Sequence, residues 1–164
     1  MNAPLFSPDD MEVASINFHA MCGHGAIAAA LGMPVCHVMQ FFDALGGWVN
    51  VPQMELALQR AGKRPVSMRG WAHGPRPAVT IIQFLGPWMN VGVPPAARCR
   101  YRHWVATRNG LIWDANEREW MNPSKWESQT IPDLLPTRST GFEPFRSLVI
   151  PIQNTVVRVR DRPE

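Results

Sequence analysis

The stretch "YRHWVATRNGLIWDAN", residues 101–116, constrains the chain more than any other. Two alternating runs flank Asn109-Gly110, and a two-residue type I′ hairpin loop needs φ > 0 at both of its positions, which Asn and Gly tolerate. With that loop, Arg108 pairs with Leu111, Val105 with Asp114, and His103 with Asn116. Side chains alternate across a strand, so His103, Val105, Asp114 and Asn116 share one face. Asn116 then stands opposite His103, and Asp114 lies one diagonal step away, about 7–8 Å between backbones and within side-chain reach. A rigid hairpin thus offers a histidine with either an acidic or an amide partner, the half of a triad that orients a base. A histidine held by a carboxylate for packing alone gives the same pattern.

The other half is a thiol. In "NFHAMCGHGAIAAALGM", residues 17–33, Cys22 opens an alanine-rich helix that Gly32 ends. Free cysteine is most often a small buried hydrophobe. At a helix N-terminus, however, the orphan N–H groups and the helix dipole favour the thiolate, and a nearby imidazolium lowers its pKa further. The Cys22 N–H is a natural donor to an oxyanion, and Asn17 adds a candidate amide donor on the entering segment. Gly23 and Gly25 leave room for substrate to approach the backbone. His19 and His24 flank the thiol as alternative bases, although a helical residue two positions on points away. Cys36 and Cys99 read as packing residues. Cys22, His24, Cys36 and His37 lack the paired spacing of a metal site, so no metal and no cofactor is implied.

Around these two features the periodicities predict an α+β chain. Residues 1–10 read as a loose arm and 11–17 as extended. Further helices are expected in "PVCHVMQFFDAL" and from Pro52 in "VPQMELALQRAG". "RPVSM" reads as a strand, "AVTIIQFLGPW" as a short helix, and "MNVGVPPAARC" as a loop. After the hairpin come a tryptophan-rich loop with Trp120 and Trp126, a helix or turn at "IPDLLP", and two strand-like runs, "RSLVIPI" and "TVVRVRD". The expected division is one domain over 11–164, with a helical lobe at about 17–90 and a sheet lobe at about 98–160. The tryptophans at 48, 71, 88, 104, 113, 120 and 126 are mostly core or hairpin cladding. Trp71 and Trp88, beside proline-containing loops, are the candidates for lining a substrate groove.

The formal net charge is +3, carried mostly by arginines scattered along the chain, including Arg98, Arg100 and Arg102 just before the hairpin. Without zinc-finger spacing, an aromatic RNA-binding strand or a helix-turn-helix, that pattern argues against nucleic acid as the partner. No apolar run approaches the ~20 residues that cross a bilayer. The first residues lack a basic and an apolar region of signal type. Three cysteines then fit free thiols in a reduced, cytoplasmic setting, with delivery by a specialised secretion system still open.

A cysteine opening a small-residue helix, followed by a "HWVATRNGLIWD" hairpin, resembles the papain-like cysteine peptidase superfamily. The nearest branch is the compact bacterial and phage members related to the peptidase domains that cleave double-glycine leaders. The resemblance covers roughly Ile16 to Asn116. It implies a helical lobe packed on an antiparallel sheet, with Cys22 as nucleophile, His103 as base and Asp114 as orienting acid, acting on a peptide or isopeptide bond of a peptide or protein substrate. Ile16 stands where such enzymes commonly carry an upstream glutamine. The alternatives are a papain-like binding protein without activity, of phage or defence type, and an amidase of peptidoglycan or a deamidase of toxin type.

Overall fold

The computed structural model describes residues 10–44 and 46–151. Residues 1–9 of the expected arm at 1–10 and the run "TVVRVRD" lie outside them, and Asp10 opens the first helix. Among the described residues there are seven helices: α1 (Asp10–Phe18), α2 (Cys22–Leu31), α3 (Val35–Val38), α4 (Val51–Arg60), α5 (Pro95–Cys99), α6 (Pro123–Gln129) and α7 (Ile131–Leu134). The strands are β1 (Val66–Met68), β2 (Ala78–Leu85), β3 (Arg102–Arg108), β4 (Leu111–Asp114), β5 (Glu119–Met121) and β6 (Gly141–Val149). They form one antiparallel sheet in the order β1-β6-β2-β3-β4-β5. The class is α+β, as the element pattern predicts. No single helix among the described residues is long and apolar enough to cross a membrane.

Alternate residues of the sheet feed two separate cores. Val79, Ile81, Trp104, Ala106, Trp113 and Leu148 pack with α1–α4 on one face. Ile82, Phe84, Val105 and Ile112 pack on the other with Met121, Trp126 and Ile131. Burying side chains of this size contributes about 1.5–3 kcal/mol each. α2 is the buried helix of the first layer, with Gly23 through Ala30 all buried. Its small residues let it press against the sheet: a Cβ on Gly25 would meet the Trp113 ring at 2.8 Å, and one on Gly23 would meet Val49 Cβ at 2.8 Å. Gly32 ends the helix at φ 68°, a conformation that a Cβ disfavours.

Several expectations change. Residues 78–85 are a strand, not a helix, and lie at the centre of the sheet. The run Val79-Thr80-Ile81-Ile82 is β-branched and buried on both faces, and a continuous apolar strand of this kind shows no period-2 signal. The sheet therefore begins at Val66, well before the expected lobe boundary near residue 98. Residues 10–18 are helical, not extended. "PVCHVMQFFDAL" yields only α3 and a 3₁₀ turn at Met39–Phe41. Pro95–Cys99 forms a short helix inside the expected loop, and Trp120 and Trp126 lie on β5 and α6 instead of a loop. α4 starts one residue early, at Val51, because Asn50 and Gln53 exchange side-chain-to-backbone hydrogen bonds at 2.9 Å in a capping box.

Candidate functional site

The hairpin forms with Arg108 opposite Leu111, and Asn109 and Gly110 at φ 50° and 74°. Its ladder runs only to Ala106↔Trp113, and beyond that point β3 and β4 part. The expected pairings of Val105 with Asp114 and His103 with Asn116 do not form as ladder contacts; Asn116 sits in the turn between β4 and β5. The N-terminus of α2 occupies this opening. The backbone N–H of Trp104, freed from β4, donates to Cys22 Sγ at 3.5 Å.

His103 and Asp114 point to the same face and meet there, with Nε2 of the imidazole 2.8 Å from Oδ2 of the carboxylate. That leaves Nδ1 of the ring on the side of the thiol, and Cys22 and His103 are near enough for each to shift the other's titration. Asp114 is fully buried, and both of its oxygens are satisfied. Oδ2 also accepts from Trp126 Nε1 at 2.9 Å, while Oδ1 accepts from the backbone N and side-chain Nδ2 of Asn116 at 2.9 and 3.1 Å. Between the two partners that the hairpin offers, Asp114 touches the imidazole and Asn116 holds Asp114.

The charges follow from this chain. Burial pushes the Cys22 thiol up, but the His103 imidazolium and the Trp104 N–H outweigh it, and the thiol titrates below its ordinary value. For His103, burial works against the charged form, yet the thiolate and the Asp114 carboxylate together push its pKa up to about 10. Burial likewise opposes ionisation of Asp114, and its hydrogen bonds from His103, Asn116 and Trp126 hold it below the usual carboxylate range. Both shifts favour the thiolate–imidazolium pair, backed by a carboxylate, over the neutral thiol and imidazole. The Cys22 N–H, in the first turn of α2, has no intrahelical acceptor and is available to an oxyanion.

Cys22 and His103 open into a cleft of about 640 Å³ that crosses the end of the sheet. Met11, Ile16 and Met21 wall it on the helical side, and Phe84, Tyr101 and Leu134 on the other. Asn17 is exposed on α1 and does not line this cleft; its neighbour Ile16 does. A helix turns the two side chains about 100° apart, so reading 11–17 as extended misplaces Asn17. Gly23 serves helix–strand packing against Val49 and Trp104 and is also absent from the cleft wall. Trp71 packs edge-on against Trp126 at 5.9 Å, and Trp88 stacks on Tyr101 at 3.9 Å; neither lines the cleft. Trp48, 65% exposed at the rim, is the tryptophan that does.

His24 is no base. It is buried, its Nδ1 accepts the Met21 N–H at 3.0 Å, and burial pushes its pKa down to about 4, so a neutral imidazole caps the helix that presents Cys22. Cys36 is exposed, contrary to a packing role, and the side chain of Cys99 lies outside the described set. No group of three or more metal-ligating side chains occurs among the described residues. The sequence reading missed Trp126 as a donor to Asp114, since nothing in a tryptophan's local context marks which indole has a carboxylate within reach. No protein-family model, curated protein or solved structure matches the chain, so the site stands on its own geometry.

Proposed function

We propose that the chain is a papain-like thiol hydrolase that cleaves a peptide or isopeptide bond through Cys22, His103 and Asp114. The observation that carries the reading is the buried His103–Asp114 pair set beside Cys22, with thiol and imidazole both opening into one cleft. In this reaction the Cys22 thiolate adds to the substrate carbonyl, and the Cys22 N–H receives the developing oxyanion. The His103 imidazolium protonates the leaving amine as the C–N bond breaks, leaving an acyl-thioester. Neutral His103 then takes a proton from water, whose oxygen attacks the thioester. Collapse breaks the C–S bond and releases the acid and the Cys22 thiolate, while His103 keeps the proton taken from water, which restores the imidazolium–thiolate pair. Asp114 keeps the ring oriented and stabilises its charged form.

Alkylation by iodoacetamide, followed by mass spectrometry for each cysteine as a function of pH, tests this directly. Cys22 is expected to react well below pH 8, faster than the exposed Cys36, and His103→Ala is expected to slow it at least tenfold. Reaction of Cys22 no faster than Cys36 in the native protein refutes the reading. A second reading, a papain-like binding protein that forms no product, draws on Ile16 lining the cleft where an amide donor is expected. It predicts rapid alkylation of Cys22 together with no turnover of any peptide or isopeptide substrate.

A further inference from the structure

The cleft is unevenly charged. Arg100, Arg102 and Arg118 line it, against a single carboxylate among its described lining residues, Glu12. Glu12 is already engaged by Arg118 at 3.0 Å. Neither Arg100 nor Arg102 has a carboxylate within ion-pair distance among the described residues. A thiolate and an imidazolium would cancel each other, so two guanidinium groups without a carboxylate partner line the cleft into which the Cys22 sulfur opens.

Arg102 is also pre-positioned. Its Nε donates to Gln83 Oε1 at 2.7 Å, and its guanidinium lies 4.5 Å over the Phe145 ring. Gln83 is 1% exposed and is itself fixed, its Nε2 donating to the carbonyls of Phe84, Arg98 and Tyr101 at 3.0–3.2 Å. The terminal nitrogens of Arg102 have no hydrogen-bond partner among the described residues. A planar fork held this way binds a carboxylate with two parallel hydrogen bonds and loses little side-chain entropy in doing so. Arg100 and Arg102 further border a second concavity of about 480 Å³, walled by Trp48, Val49, Ile81 and Trp104, which gives the rest of an acidic substrate an apolar bed.

We infer that Arg102, with Arg100 beside it, selects substrates that carry a carboxylate next to the bond attacked by Cys22, such as a peptide with an acidic residue there. The inference rests on the thiol-hydrolase reading and specifies its substrate class. Arg102 is the specificity residue, Arg100 widens the field, and Gln83 positions Arg102.

The test compares two isosteric probes with one warhead, chloroacetyl-Glu amide and chloroacetyl-Gln amide, by the rate at which each modifies Cys22. The wild-type chain is expected to prefer the Glu probe by about tenfold at low salt, the scale of one charge-assisted hydrogen bond, and by less at 0.5 M salt. Arg102→Gln is expected to bring the ratio close to one, Arg102→Lys to keep part of it, and the exposed Arg76→Gln, with the same loss of charge, to leave it unchanged. Equal rates for the two probes at a Cys22 that outpaces Cys36 overturn this inference and leave the thiol chemistry standing. A preference that survives loss of both Arg100 and Arg102 also overturns it, because the His103 imidazolium is then its source. If both probes modify Cys22 no faster than Cys36, the hydrolase reading itself fails, and the substrate class with it.

Discussion

The Trp126 indole donates to Asp114 Oδ2 at 2.9 Å, the same oxygen that receives His103 Nε2. A helix from beyond the hairpin thus helps keep the Asp114 carboxylate ionised at a position without water exposure of its own. Trp126→Phe retains most of the ring packing and removes only this donor. A buried carboxylate that loses a partner costs about 1–3 kcal/mol, so the urea midpoint is expected to fall accordingly. With Asp114 less firmly ionised, Cys22 alkylation at pH 6 is expected to slow several-fold. An unchanged alkylation rate at reduced stability would show that the indole acts through packing alone.

The coupled pair makes a specific pH prediction. His103, raised to about 10, contributes stability that is complete below its unfolded value of 6.5 and lost as pH rises through 10. Cys22, lowered from 9.0, contributes stability present above 9.0 and lost as pH falls through its folded pKa. Between 6.5 and 9 the two trends oppose each other, the His103 share falling and the Cys22 share rising with pH. Imidazole NMR shifts are expected to place the His103 titration near 10 in the wild type and lower in Cys22→Ala, which lacks the thiolate. A His103 titration near 6.5 in the wild-type protein contradicts the ion pair.

His24 bears on the same helix from a different direction. Its pKa stands near 4, so the folded chain loses stability as pH falls from 6.5 through 4, by up to about 3 kcal/mol at the end of that range. His24→Asn keeps a polar group near the Met21 N–H without a titrating ring. The acid limb of the stability curve is expected to be shallower in that variant, as measured by thermal melts between pH 4 and 7. An identical limb would place the acid sensitivity elsewhere.

Gly25→Ala tests the packing that holds Cys22. The added methyl meets a fully buried tryptophan ring, which has little room to retreat. Overpacking of this kind costs about 1–3 kcal/mol, and because α2 is displaced from the sheet, Cys22 reactivity is expected to fall with it. Calorimetry and alkylation on one sample check both. Gly32→Ala, at a position with open space around it, separates backbone strain from overpacking and is expected to spare the thiol.

The candidate triad was legible because each of its members announces itself locally. Asn109-Gly110 sets the hairpin register, the register puts His103 and Asp114 on one face, and Gly32 with the alanine run marks α2. What was hidden depends on contacts remote in sequence. β2 is apolar on both faces, so its periodicity resembles a buried helix until β3 and β6 are seen to flank it. Asn17 loses its candidate role because α1 is helical through Phe18 and turns Ile16, not its neighbour, to the cleft. The roles of Gln83 and Trp126 arise from hydrogen bonds across the fold, to Arg102 and to Asp114, that no spacing encodes.

The parting of β3 and β4 beyond Ala106 has a consequence for when the chemistry exists at all. Cys22 belongs to the layer on one face of the sheet, and His103 with Asp114 to the layer on the other. Neither layer carries a reactive thiolate by itself: without the imidazolium, burial leaves the cysteine protonated and quiet. The gap in the ladder acts as an interlock, closing the circuit only once both halves of the core have condensed onto the sheet. A nascent or locally opened chain carries only an ordinary thiol at this position, and reactivity of Cys22 beyond that of an ordinary thiol reports that both layers are in place.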